Sequence, residues 1–307
     1  MTSISVIIPA FNCAPWIRQA IDSVLNQSIP VHEIIVVDDG STDDTANVLA
    51  SCGQKIQTIR QPNQGVATAR NTAIRRASGE LIAFLDADDV WHPRKLELQL
   101  RVMASNPNIG LLGTGLFAWP AASMPEANDE PPTLVVIDRN ALAVKNYLAT
   151  SSIILRRELV RQIGEFDTAL CGPEDHDYWL RAVDVASIAI LPLQLTGYRS
   201  VPGSLSKRAA TMEAGMRRIL LKLDRQNFWR GNRLLRRRAY SYANYSSAYL
   251  HGVAGKQWSA ITRLLGSLMW YPLPLRRTEA GASFGRFKRL VVTMRRFFNV
   301  MRPDPGF

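Results

Sequence analysis

Short apolar runs alternate with amphipathic stretches along the first hundred residues. Residues 4–8 form a β-branched run, and Pro9-Ala10-Phe11-Asn12 leads out of it into a segment with Ile17, Ile21, Val24 and Leu25 at helical spacing. Residues 33–37 (EIIVV) predict a second buried strand, stopping at Asp38-Asp39-Gly40. Ser41 or Thr42 is placed to cap a helix with acidic residues in its first turn, where the helix dipole favours them. A weaker strand is predicted over 55–59 and a helix over 65–77, with Gly79 as its stop signal. A fourth strand over 81–85 ends at Asp86-Ala87-Asp88-Asp89, and Pro93 stands where a helix can open. This βαβαβαβ order predicts a mainly parallel sheet covered by helices. Such sheets bind ligands beyond the carboxyl ends of their strands, and both acidic clusters fall there.

From about 111 to 205 the pattern is mixed, with strand signals at 151–155 and 188–193 and a helix over 173–183. The uncharged run 102–125 is long enough to span a bilayer, but Asn106, Pro107, Asn108, Gly110, Gly113, Gly115 and Pro120 exclude a membrane helix. Beyond 206 the chain becomes helical and basic, and 239–275 has the spacing of one helical hairpin.

Charge sharpens this division. Residues 1–200 carry 16 Lys/Arg against 22 Asp/Glu, and 201–307 carry 21 against 4, so balances of −6 and +17 make up the net +11. Near the end, Phe284, Phe287, Val291, Met294, Phe298 and Met301 recur at gaps of three and four, with Arg286, Lys288, Arg289, Arg295, Arg296 and Arg302 mostly on the other faces. Such a helix suits an anionic membrane surface, packing on the domain that precedes it, or a homodimer seam. No nucleic-acid reading motif accompanies the charge. Cys13, Cys52 and Cys171 lack metal-type spacing and read as reduced thiols. Because 4–8 already reads as a strand, no signal peptide is expected. The expected setting is cytoplasmic, or peripheral at the inner face of the plasma membrane.

Four local motifs can carry chemistry. Asp86-x-Asp88, with Asp89, suits Mg²⁺ or Mn²⁺ that also takes diphosphate oxygens, although a solvated turn has the same composition. Asp38-Asp39 can accept a hydrogen bond from a nucleobase imide or cap the next helix. Gln64-Gly65-Val66-Ala67-Thr68-Ala69-Arg70-Asn71 opens a helix whose small residues allow close approach. Arg70 can contact a nucleotide, hold the acidic loops, or lie on the surface. Glu174-Asp175 falls at a helix N-terminus, which favours an ionised carboxylate able to act as a base. Ordinary N-terminal charge placement has the same signature. The four histidines form no metal cluster.

Taken in order, Ser5 to Asn12, Asp38 to Asp43, Gly65 to Asn71, Gly79-Glu80 before Phe84 to Asp89, and Glu174-Asp175 resemble the family 2 glycosyltransferases over about 1–205. The resemblance implies the A-type glycosyltransferase fold, a Rossmann-like, mainly parallel mixed α/β sheet flanked by helices, here with a basic, mostly helical C-terminal extension. It implies an inverting, metal-dependent hexosyl or N-acetylhexosaminyl transferase using Mn²⁺ or Mg²⁺. The donor would be a nucleotide sugar, a UDP-sugar first, and the acceptor a glycan or lipid-linked hydroxyl in polysaccharide or glycolipid synthesis. By motif, Pro9, Phe11 and Asp39 would line the base pocket with Asp38 close by, and Arg70 would lie near the nucleotide. Asp86 would face ribose and metal, Asp88 would ligate the metal, and Asp175 would be the base. Tyr198-Arg199 and Ser204-Leu205-Ser206 resemble the family's closing segment.

The expected domains are 1–206, with a donor half to about 110 and an acceptor half after it, and the basic helical region 207–307. Processive members carry Gln-x-x-Arg-Trp, whereas Gln226-Asn227-Phe228-Trp229-Arg230 reverses the last two residues. A processive synthase is therefore not expected. The rivals are a catalytically inactive membrane-associated scaffold of the same fold and a sugar nucleotidyltransferase. The latter needs a Gly-rich basic loop after the first strand, which Pro9-Ala10-Phe11-Asn12 is not.

Overall fold

A computed structural model describes residues 2–128, 132–201, 203–276, 279 and 285–301, with backbone only at 296 and 298–301. The chain divides into two compact units: residues 1–139, 147–169 and 174–201 in the first, and 140–146, 170–173 and 202–307 in the second.

In the first unit, β1 (Ile4–Ala10), β2 (Glu33–Asp38), β3 (Gln57–Arg60) and β4 (Leu81–Phe84) pair in parallel in the order β3-β2-β1-β4. Strands β1 and β4 are buried throughout, as their apolar runs, broken only by Ser5, require when both sheet faces are covered. Helices α1 (Ile17–Leu25), α2 (Thr45–Ser51), α3 (Val66–Arg76) and α4 (Lys95–Ser105) complete the alternation. Strand β3 starts two residues later than expected because Gly53, at φ 59°, sets a short 3₁₀ turn before it. As the sheet's edge it is largely exposed, which is why its pattern is weak. The sheet continues through β8 (Ile154–Arg156), β6 (Ile109–Trp119), β9 (Ser187–Arg199) and β5 (Val90–Trp91), and β7 (Val135–Val136) pairs with β9. Strand β8 is antiparallel to β4 and β6, whereas β6 and β9 are parallel.

Several sequence expectations are corrected in detail. The uncharged run contains the eleven-residue strand β6. Its glycines are close-approach positions rather than breaks: a Cβ at Gly115 would come within 2.9 Å of the Leu193 carbonyl oxygen. Residues 150–152 form a 3₁₀ turn ahead of β8 rather than its first residues. Neither Ser41 nor Thr42 caps α2, which begins at Thr45 with no side-chain cap bond. Gly79 does not close α3 through a left-handed turn. It lets the chain pass β1, where a Cβ would meet the Ser5 backbone nitrogen at 2.7 Å.

Helices α6 (Arg157–Ile163) and α7 (Glu174–Ala182) follow β8, and α7 is anchored from below. Tyr178 and Trp179 are buried, and the Tyr178 ring stacks on Phe166 at 4.0 Å. Phe84 of β4 meets the Phe166 ring edge-on. This aromatic block fixes the start of α7 relative to the end of β4.

The second unit is helical: α8 (Ala209–Arg225), α9 (Arg233–Val253), α10 (Gln257–Trp270) and α11 (Gly285–Met301), with α5 (Arg139–Val144) contributing most of its length. Asn232 caps α9, its side-chain oxygen accepting the Leu235 N–H at 3.0 Å. Helices α9 and α10 form the expected hairpin, with Ser241 and Ser267 bonded across it. Leu290 of α11 packs into the cluster of Tyr245, Ala248, Ile261 and Leu264. Arg286, expected on a polar face, is buried and bonds to Ser241, Ser267 and Tyr271. Phe287 and Met294 of the apolar stripe remain exposed. Phe284 and the side chains of Phe298 and Met301 lie outside the described residues. Among the described residues no helix is long and apolar enough to cross a membrane.

Candidate active site

The adjacent strands β1, β2 and β4 end at Pro9 to Asn12, at Asp38-Asp39 and at Asp86 to Asp89, and Arg70 of α3 ties the last of these to the start of α7. At the end of β1, Pro9 is buried and Phe11 turns outward, 49% exposed. Asn12 has φ 47° and braces the turn: its side-chain oxygen accepts the Thr42 N–H at 2.8 Å, and its own N–H donates to the Ser41 hydroxyl at 3.0 Å. Ser41 thus ties two loops together instead of capping a helix.

At the end of β2 both aspartates are buried. Asp38 accepts the Ser41 N–H at 2.9 Å, while its other oxygen lies 3.6 Å from Arg60 Nε and has no hydrogen-bond partner among the described residues. Asp39 accepts the Gln61 side-chain N–H at 2.7 Å and the backbone N–H groups of Gln64 and Gly65 at 3.0 and 2.8 Å. Gly65, at φ 90°, turns the chain so that the start of α3 presents those donors. Asp39 is thereby the anchor of the loop leading into α3, a role its motif alone does not reveal. A carboxylate has about four acceptor positions, so one remains.

At the end of β4 lies a denser network. Arg70 of α3 is buried and donates to Asp86 at 2.7 Å and to Glu174 at 2.6 Å. Its guanidinium also lies over the Phe166 ring at 5.5 Å. Of the alternatives open for Arg70, the structure places it as the tie between the acidic loops. Burial pushes the Glu174 carboxyl up, and Arg70 pulls it down. Asp86 and Asp88 are half-buried. Burial, then the charge of Asp86, pushes Asp88 up to about 6. The same causes push Asp89 to about 8, even though it accepts the Ser151 hydroxyl at 2.6 Å and the Arg199 N–H at 2.9 Å. Burial outweighs those two bonds.

Asp175 is half-buried at the first turn of α7, its oxygens accepting the Thr150 hydroxyl at 3.3 Å and the His176 N–H at 2.7 Å. Asp177, three residues into the helix, is buried and paired with Arg181 at 3.1 Å. Arg199 closes the group from β9: its Nε donates to the Asp88 carbonyl at 2.8 Å and an Nη to Gln19 at 2.7 Å. Tyr198 beside it is exposed. Ser151 was not foreseen. It bonds both Asp86 N–H and Asp89, and its carbonyl accepts the Trp91 ring N–H. Its only signal in the sequence is a polar pair before β8.

Among the described residues no three His, Cys, Asp or Glu groups are grouped to hold a metal ion. Asp86 and Asp88 nonetheless suit a hard cation that takes its remaining oxygens from elsewhere. Asp88 has no cationic side chain in an ion pair with it among the described residues, and burial first, then the charge of Asp86, pushes its carboxyl up; a divalent ion would relieve the second of these.

Sheet order and the acidic junction define the A-type glycosyltransferase fold. Mannosyltransferase PcManGT of Pyrobaculum calidifontis, in complex with GDP-Man and Mn²⁺, superposes with a TM-score of 0.60 at 19% identity, covering 96% of this chain and 80% of that one. S. aureus TarS 1–349 in complex with UDP-GlcNAc gives 0.60 at 18%, covering 87% and 81%.

Residues 5–120 match the family model described as Glycosyl transferase family 2, so the resemblance read from the motifs holds over that segment. An uncharacterized glycosyltransferase of Rickettsia bellii is 47% identical over 105 residues, which are 34% of this chain and 15% of that protein. The putative teichuronic acid biosynthesis glycosyltransferase TuaG of Bacillus subtilis is 36% identical over 166 residues, 52% of this chain and 64% of that one. The chain therefore spans less than a fifth of the first Rickettsia relatives and under two thirds of TuaG.

Proposed function

We propose that the chain is an inverting glycosyltransferase that moves a hexosyl or N-acetylhexosaminyl group from a nucleotide-diphosphate sugar to an acceptor hydroxyl. The observation that carries this reading is the Arg70 bridge. It holds Asp86, beside the candidate metal ligand Asp88, against the acidic start of α7, where Asp175 lies. Donor end and acceptor end are thus locked to one guanidinium.

Asp175 takes the acceptor proton as the acceptor oxygen attacks the anomeric carbon, and the bond to the diphosphate breaks with its electron pair leaving on the nucleotide. Asp88, with Asp86 beside it, would hold Mn²⁺ or Mg²⁺, which supplies neutralisation of the charge growing on the leaving diphosphate. The exposed Phe11 ring, Pro9 and the remaining acceptor position of Asp39 suit a nucleobase, with Asp38 behind them. Tyr198 and Arg199 lie on the strand tied to Asp88 and Asp89, fitting a segment that covers the diphosphate. The UDP-GlcNAc complex of TarS supports a UDP-sugar donor, and the teichuronic acid biosynthesis named for TuaG supports cell-envelope polysaccharide synthesis; we take the acceptor to be a glycan or lipid-linked hydroxyl at the cytoplasmic face.

A panel of sugar nucleotides with Mn²⁺ or Mg²⁺, scored by thermal shift and nucleoside diphosphate release, tests the reading. A true donor at a hundred times its Kd stabilises the fold by about 2.7 kcal/mol. No shift and no release across UDP-, GDP- and dTDP-sugars would remove the proposal.

A further inference from the structure

Helix α11 lies antiparallel to α10 in a fixed register. At one end the Trp258 ring sits 5.6 Å from the Phe297 ring. At the other, Arg286 donates to the carbonyls of Ser267, Tyr271 and Leu273, which cap the end of α10. The rotation of α11 is fixed as well. Arg286, Leu290 and Thr293 face inward, and Arg289 lies over the Tyr245 and Tyr249 rings of α9 at 5.6 and 4.8 Å. At 3.6 residues per turn, Phe287 and Met294 then fall on the flank away from α9. Trp258, which meets Phe297 of α11, belongs to an outer stripe of α10 in which Trp258, Thr262, Leu265 and Met269 recur at gaps of four, three and four. Trp258, Met269 and Phe287 are 62, 79 and 60% exposed, and Leu265 and Met294 are exposed with them. Five large apolar side chains grouped on two adjacent helices exceed the scattered exposure of an ordinary surface.

The surroundings of this patch are cationic. Lys256, Lys288 and Arg295 are exposed beside it. Between 256 and 301 the sequence holds nine Lys/Arg (256, 263, 276, 277, 286, 288, 289, 295 and 296) against one acid, Glu279; Arg286 is buried and Arg263 is paired with Glu213, which leaves seven. Glu279 is buried and paired with Arg238, so it offers no charge to solvent.

We infer that the α10–α11 face is a docking surface for an anionic lipid bilayer, with Trp258, Leu265, Met269, Phe287 and Met294 entering the headgroup boundary and the lysines and arginines meeting lipid phosphates. A second copy of the chain is the poorer occupant. An isologous contact would set this same cationic rim against itself with no carboxylate among its described residues to answer it. The inference does not depend on the transferase reading.

The full chain should pellet with phosphatidylglycerol-containing vesicles at low salt, stay in solution with pure phosphatidylcholine, and be released by added salt. One basic side chain near an anionic surface is worth about fivefold in binding, so Lys288→Gln with Arg295→Gln should weaken partitioning roughly 25-fold. Met269→Ser with Phe287→Ser, both at exposed positions, should weaken it by about tenfold or more, with melting by circular dichroism unchanged. Brominated acyl chains should quench tryptophan emission of the intact chain, and Trp258→Phe should remove most of that quenching. The inference is overturned if the intact chain ignores anionic vesicles at low salt, or if both double variants pellet as the intact chain does. It is equally overturned if sedimentation shows a dimer that Met269→Ser with Phe287→Ser splits while vesicles are ignored.

Discussion

Replacing Arg70 with Met removes the one cation shared by two carboxylates, and the cost follows from how unequally they are buried. The Arg70 side chain is 3% exposed, that of Glu174 5% and that of Asp86 34%. Water can compensate Asp86 but not Glu174, so the loss is chiefly one uncompensated buried carboxylate, worth about 3–5 kcal/mol. For a unit of this size that is roughly 10 °C or more in Tm. The pH dependence has a definite sign. Without Arg70, burial raises the folded-state value of Glu174 unopposed, so the folded state binds more protons than the unfolded one. Stability then falls as pH rises, and the deficit should shrink as pH is lowered toward about 5. Thermal denaturation from pH 5 to 8 reads this directly. Pairing Arg70→Met with Glu174→Gln should recover part of the loss, a coupling a double-mutant cycle measures. A single-variant loss under about 1 kcal/mol, or strict additivity in the cycle, would refute the argument.

Two further outcomes are expected. Asp88→Ala should abolish metal-dependent donor binding, and EDTA should do the same to the intact chain; full turnover in EDTA would end the metal assignment. In the helical unit, Asp224 accepts Arg236 twice, at 2.8 and 2.7 Å, and the Tyr240 and Trp229 donors at 2.7 and 2.6 Å. These bonds, those of Arg236 first, hold its carboxyl down at about 2. Its contribution is therefore complete above the unfolded value near 4 and is lost as pH falls through about 2. Asp224→Asn should cost about 1–2 kcal/mol at neutral pH, solvent screening included, and flatten the acid limb of the stability curve.

The parallel half of the sheet is legible in the sequence because β1, β2 and β4 are near-continuous apolar runs, β2 and β4 leading into acids. Strand β6 is not, since Gly113 and Gly115 look like interruptions until the close passage of β9 is known. Local motifs mark where the strands end but not who holds whom. Arg70 and Glu174 are 104 residues apart, and the sequence has no local signal for their pairing. Asp39 reads as a ligand group and proves to carry a loop as well, because two of its three partners are backbone N–H groups, which no residue type announces. In the tail, helical spacing finds the stripe but cannot say which side is covered; buried Arg286 turns Phe287 and Met294 outward.

The central claim is that the junction of β4 and α7 performs glycosyl transfer with Asp175 as base, and Asp175→Asn tests it most directly. Asn keeps the shape and much of the bonding to Thr150 but cannot accept the acceptor's proton. With a donor found in the panel, kcat should fall by about 10²–10⁴-fold. Donor affinity by titration and Tm should stay near those of the intact chain. Turnover close to the intact chain's, or an equal loss of donor binding and kcat, would contradict the account.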